Sequence, residues 1–247
     1  MPIRKAYGAK ADTFDPLDLH YEKVVAPSQR PDHVDLERKG EPIWDQGQLG
    51  SCWWNACAAE INDVQPEFFT SRLWGYYKSR VKMHTTHEDS GTASRPALSV
   101  LLHMGAAPET DWPYEIDRFA SPPPHKANVD AKAEVIEAYR RLSGLDAMLD
   151  CLAAGRTFML GVLLYDEFES NEVAHSGMVP MPAHGSNIVG GHEIQAKGYD
   201  AVKKLLKCRN SWAADWGDRG YFYLPFDYVS NAKLTLDAYV LDHCHAR

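Results

Sequence analysis

Gln46-Gly47-Gln48-Leu49-Gly50-Ser51-Cys52-Trp53-Trp54 is the stretch that decides how this chain is read. From Ser51 to about Asn62 there is neither glycine nor proline, so the residues after the Gly-rich turn predict a helix. Ser51 stands at its expected cap and Cys52 in its first turn. That turn offers backbone N–H groups without an intrahelical acceptor and a partial positive charge, and both favour thiolate over thiol. An oxyanion forming on an attacked carbonyl needs donors aimed at it. The backbone N–H of Cys52 and the side-chain amide of Gln46, on the tight turn Asp45-Gln46-Gly47, are the candidates.

A cysteine nucleophile needs a base. Gly190-Gly191-His192-Glu193-Ile194 puts a histidine at the start of a predicted strand, after two glycines that permit close backbone approach. Cys208-Arg209-Asn210-Ser211-Trp212 puts an asparagine at the end of another. An Asn carbonyl accepting the imidazole N–H fixes the ring, and an indole beside it shields that bond from water.

Outward from these segments, 247 residues suffice for one sizeable domain or two small lobes sharing a cleft. The 45% apolar and 24% charged fractions are those of an ordinary globular protein. A net charge of −8 without a basic run argues against a nucleic-acid partner. No stretch reaches the roughly 18 apolar residues of a membrane span, and the N-terminus has no apolar core of a secretory signal. Five cysteines at irregular spacing do not make a disulfide framework. Cys52 and Cys57 fall about 140° apart on one helix. The expectation is a reduced, cytoplasmic protein.

Residues 1–30 are polar and loop-like, and 31–124 read as a mainly helical lobe carrying the nucleophile. Residues 125–247 read as a mainly β lobe carrying the His and Asn, with Ser121-Pro122-Pro123-Pro124 as the linker. Helices are expected at Pro66–Lys82, through Leu98–Leu102 to Gly105, at 130–142 and at 146–154. Strands are expected at 158–164, 192–199, 205–209 and 221–224. The class is α+β. No metal or organic cofactor is called for: His84 and His87 lack a third ligand, and His243-Cys244-His245 reads as a solvated tail. Phe68, Leu73, Trp74 and Tyr77 read as a core stripe.

These motifs together resemble the papain family of cysteine peptidases. Leu49-Gly50-Ser51-Cys52-Trp53 matches the nucleophile signature except at Leu49, with His192 following Cys52 by 140 residues and Asn210 by 158. Gln46, six residues before Cys52, matches the family's oxyanion glutamine. Asn210-Ser211-Trp212 with Trp216-Gly217-Asp218-Arg219-Gly220-Tyr221 is similar to its Asn-Ser-Trp-Gly stretch, and Asp111-Trp112-Pro113-Tyr114 to the end of its helical lobe. The resemblance runs from about Pro31 to Val240.

It implies a two-lobe fold, a helical left lobe and an antiparallel β-barrel-like right lobe, with the active site in the cleft between them. It implies a cysteine-type endopeptidase acting on peptides or proteins through Cys52, His192, Asn210 and Gln46. The alternatives are a ligase or transpeptidase on the same fold, or a silent peptide-binding homologue. Cys52 and His192 are expected to form an ion pair. Ser90, Gly91 and Gly191 are expected to meet substrate backbone, Glu193 to border the pocket for the second substrate side chain, and Trp212 to complete the cleft. Leu49 replaces a disulfide cysteine and Ala213 a glycine. Only about 30 residues precede the mature-like start at Pro31, which resembles short bacterial or viral members. Those residues are expected to form a regulatory flap or a strap on the back of the molecule.

Overall fold

The computed structural model describes residues 6–12 and 15–243, with His243 described in its backbone only. The helix expected after Ser51 is α1, Cys52–Val64, and every residue from Cys52 to Asn62 is buried. α2, Arg72–Met83, starts where the Ser71 hydroxyl accepts from the Trp74 N–H and ends at His84 in the left-handed region, φ 57°. It starts six residues later than expected, because Thr70 is bridged to Pro108. α3 is Ser94–His103, α4 His125–Asp130 and α5 Leu145–Ala153.

The expected helix over 130–142 is a correction. α4 stops at Asp130 and Ile136–Arg141 is a strand. No glycine or proline in that segment forbids a helix. Pairing with the C-terminal strand decides, since tertiary context overrides a weak local preference.

The strands are β1 (Ala9–Lys10), β2 (His33–Asp35), β3 (Thr92–Ala93), β4 (Ile136–Arg141), β5 (Phe158–Tyr165), β6 (Ile188–Asp200), β7 (Leu205–Arg209), β8 (Tyr221–Pro225) and β9 (Thr235–His243). One sheet has the order β4-β9-β5-β6-β7-β8, with β2 also on β6. All its pairings are antiparallel, and among the described residues it does not close into a barrel. Alternation along β5 sends Phe158, Leu160, Val162 and Leu164 to a core shared with α5. Met159 faces the other way, into the core of α1, α2 and α3. The second core holds Trp53, Trp54, Leu73 and Trp74, with Phe68 packed at its edge; of the expected stripe Tyr77 lies outside this core, and its neighbour Tyr76 is the buried one.

The segment before β2 divides in two. Residues 15–35 strap the back of the sheet: the Tyr21 hydroxyl and the Val24 and Val25 N–H groups all donate to Asp150, and β2 pairs with β6. Residues 6–12 run into the groove between the two cores, where β1 pairs in parallel with β3.

Candidate active site

Cys52 is the first residue of α1. Ser51 does not cap the helix: its hydroxyl is bonded to Tyr114 Oη at 2.5 Å and accepts from Asn55 Nδ2 at 3.0 Å. His192 lies on β6 and Asn210 follows β7, and the Gln195–Arg209 register between those strands brings the two side chains together. His192 Nε2 is 2.8 Å from Asn210 Oδ1, which also accepts from the Ser211 N–H at 2.8 Å, so the ring donates to an anchored carbonyl. The Trp212 ring is 5.2 Å from the imidazole and tilted 37°, with Phe168 behind both.

Gln46 is tied to the Asn210 loop. Its Oε1 accepts from Ser211 Oγ at 2.6 Å and its backbone N–H donates to the Ser211 carbonyl. The amide Nε2 is thereby turned towards the cleft, donating to the Leu49 carbonyl at 2.9 Å and the Ala6 carbonyl at 3.0 Å. Ala6 belongs to the segment in the cleft.

That segment fills the site. The Thr92 N–H donates to the Gly8 carbonyl at 2.7 Å. The Tyr7 ring lies 6.2 Å from His192 and 5.8 Å from Trp212, and its hydroxyl donates to Glu169 Oε1 at 2.6 Å. Close approach needs glycines on both walls. A Cβ on Gly91, at φ +70°, or on Gly191 would overlap the carbonyls of Gly8 and Ala9. Gly91 and Gly191 thus meet the backbone of the chain's own residues 8 and 9. Ser90 points away, its hydroxyl 2.7 Å from Thr85 Oγ1.

Burial sets the electrostatics. Cys52 and His192 are both fully buried beneath residues 6–12. The Cys52 thiol is pushed up to about 12 by desolvation, against the pull of the Glu193, Gly8 and Trp53 N–H groups. Desolvation drives the His192 imidazole down to about 4, against the hydrogen bond to Asn210. His192 Nδ1 has no hydrogen-bond partner. In this closed state burial favours the uncharged thiol and imidazole over the ion pair read from the sequence, because a covered site solvates charge poorly.

Sequence reasoning missed a brace for the cleft. Asp89 accepts from the Gly50 N–H at 3.0 and 3.1 Å and from the Tyr76 hydroxyl, and Tyr76 in turn accepts from the Gly91 N–H at 3.0 Å. Asp89 had only the signature of a turn residue. Glu193 is 1% exposed and, by alternation from His192, faces α1. Cys52, Cys57, Cys151 and Cys208 are buried free thiols. Among the described residues no group of His, Cys, Asp or Glu is arranged to hold a metal ion, and no helix is long and apolar enough to cross a membrane. The side chains of His243-Cys244-His245 lie outside the described residues.

A family model described as papain family cysteine protease matches residues 30–239. An uncharacterised peptidase C1-like protein of Acanthamoeba polyphaga mimivirus is 32% identical over 80% of this chain and 68% of its own length. Chymopapain of Carica papaya is 23% identical over 85% of the chain and 58% of its length. The crystal structure of xylellain, a cysteine protease from Xylella fastidiosa, superimposes with a TM-score of 0.90 at 31% identity, covering 98% of this chain and 97% of that one.

Proposed function

We propose, from the premise that this chain belongs to the papain family of cysteine proteases, that it hydrolyses peptide bonds through Cys52, His192, Asn210 and Gln46. The observation that carries this reading is a stretch of backbone in the cleft whose Ala6 carbonyl is held by Gln46 Nε2 and whose Gly8 N–H meets the Cys52 thiol. With the cleft open to water, His192 takes the Cys52 proton and the thiolate attacks a substrate carbonyl. Gln46 Nε2 and the Cys52 N–H hold the oxyanion. Collapse forms a thioester and expels the amine, which leaves with the proton from His192. Water then cleaves the thioester, returning the thiol and releasing the carboxylate product. Gly91 and Gly191 meet the substrate backbone, as they meet residues 8 and 9 here.

The same reading makes residues 6–12 a plug that must leave before substrate enters. A cysteine-directed epoxide should add one mass equivalent, mapped by peptide digestion to Cys52, and Cys52→Ala should lower turnover of a fluorogenic peptide at least about 10³-fold. Turnover that survives Cys52→Ala would overturn the assignment.

A further inference from the structure

Two segments that meet at the thiol are joined by one hydroxyl. Gln46 sits on the turn before α1, and Ser51 immediately precedes Cys52. Tyr114 ends the Asp111-Trp112-Pro113-Tyr114 motif, to which the mechanism so far gives no role. Its Oη donates to the Gln46 carbonyl at 3.0 Å and is 2.5 Å from Ser51 Oγ. A phenol has one proton and a carbonyl can only accept, so the Ser51 hydroxyl is the donor in the second bond. Ser51 Oγ accepts in turn from Asn55 Nδ2 at 3.0 Å, as does the Ser51 carbonyl. Asn55 Oδ1 accepts from Arg72 Nη1 at 2.9 Å.

The bonds therefore run in one direction, from a guanidinium through Asn55, Ser51 and Tyr114 to the Gln46 peptide. Each donor is polarised by the one before it. Arg72 is only 7% exposed, so little of its charge is lost to water. The guanidinium lies 3.9 Å from the Tyr114 ring centroid and 4.7 Å from that of Trp44. Glu109 Oε1 is 3.4 Å from Arg72 Nη2 and also accepts from the Tyr114 N–H at 3.1 Å. Ring, backbone and hydroxyl of Tyr114 are thus all fixed by groups that converge on Arg72.

We infer that Arg72 and Tyr114 are positioning residues of the oxyanion hole. This rests on the peptidase reading and adds to it two residues that act through others. An attacked carbonyl oxygen has to meet Gln46 Nε2 and the Cys52 N–H at once, and these donors belong to different segments. Ser211 sets the direction of the Gln46 side chain. The Tyr114 hydroxyl sets the Gln46 backbone against that of Ser51, and so sets one donor against the other. Misplacing a group by about 1 Å costs up to about 10² in rate, and losing a donor about 10²–10³.

The test compares a reaction that builds an oxyanion with one that does not. Tyr114→Phe keeps the ring against Arg72 and removes only the hydroxyl. With the full chain and a saturating fluorogenic peptide, it should lower kcat about 10–100-fold and move KM by less than about twofold. Iodoacetamide alkylates Cys52 by displacing iodide at a saturated carbon, so its rate should stay within about twofold. Arg72→Lys keeps the charge but loses the fork, and should give the same split more weakly. In a Gln46→Ala background Tyr114→Phe should cost less than about threefold, since the donor it orients is gone. An unchanged kcat in Tyr114→Phe would overturn the inference and leave the peptidase reading intact. So would an equal fall in kcat and alkylation, which is what a merely structural role predicts. A wild-type chain that turns over no peptide and takes no label at Cys52 would overturn both.

Discussion

One face of β6 carries Glu193, Gln195 and Lys197 in succession, all fully buried, yet its two ends are treated in opposite ways. At the far end Lys197 Nζ donates to Glu41 at 2.9 Å and Asp63 at 2.6 Å. Gln195 Nε2 donates to Glu60 at 2.9 Å and Asp63 at 2.8 Å, and Arg209 stands 3.8 Å from Glu41 and 3.6 Å from Asp63. Four residues nearer Cys52, Glu193 has no ion-pair partner among the described residues. Burial is the same at both ends, and only the pairing differs. A paired end belongs to the architecture, here fastening α1 to the sheet through Glu60 and Asp63. At the unpaired end Glu193 and Asp237 face Gly161, each with a carboxyl oxygen that has no hydrogen-bond partner.

Breaking the paired end should have the largest effect. Lys197→Ala strips Glu41 and Asp63 of their shared ammonium, and urea denaturation should show a loss of about 3–5 kcal/mol. A loss below about 1 kcal/mol would mean that Arg209 and Arg38 neutralise the cluster without it.

Relieving the unpaired end should act with the opposite sign. Asp237 holds its proton up to about 7 in the native protein, because burial and the nearby Asp12 carboxyl raise it from 3.8. The native state therefore binds a proton that the unfolded chain has released. Stability is full below about pH 4, falls as pH rises through about 7, and then levels. Asp237→Asn removes that fall, so the variant should match the parent near pH 4 and exceed it at pH 8 by up to about 4 kcal/mol. Equal curves at both pH values would show Asp237 to be solvated or paired.

Removing the segment over the cleft sharpens the contrast. Deletion of residues 1–12 should raise peptide turnover about tenfold or more. It should also flatten the pH dependence of stability between pH 4 and 7, since the Asp12 carboxyl that helps raise Glu193 and Asp237 leaves with it. The Lys197 cluster, remote from that segment, should respond to Lys197→Ala equally in both forms. Unchanged turnover after the deletion would mean that residues 6–12 leave the cleft freely.

The helix that opens with Cys52, the His192 strand and the Asn210 turn were legible because each rests on local signals: a glycine-free run after a turn, alternation, and glycines where backbones must meet. The family resemblance joined segments that spacing alone leaves apart. What was illegible is long-range. Ile136–Arg141 reads as a helix because its pairing with β9 lies about a hundred residues away in sequence. Glu193 could be read as bordering a pocket, but Asp237 and Gly161 could not be set beside it, since only the order β9-β5-β6 brings the three together. Nor could the neutral state of Cys52 and His192 be read, since it depends on which part of residues 1–30 enters the cleft and which straps the back.

That division has a kinetic consequence. Asp12 is held by the Arg95 N–H, and Asp18, a few residues on, is clamped by the Arg95 guanidinium at 2.7 Å and by Arg141 at 3.3 Å. The segment in the cleft is thus tethered within a few residues of its own docking site, at an effective concentration in the millimolar range for so short a link. Dilution leaves such an occupant in place, and a free peptide has to outcompete it at comparable concentration. A cut in the chain between Asp12 and Asp18 changes the order of the reaction: the segment becomes a separate molecule, and once gone it returns only as fast as its own concentration allows.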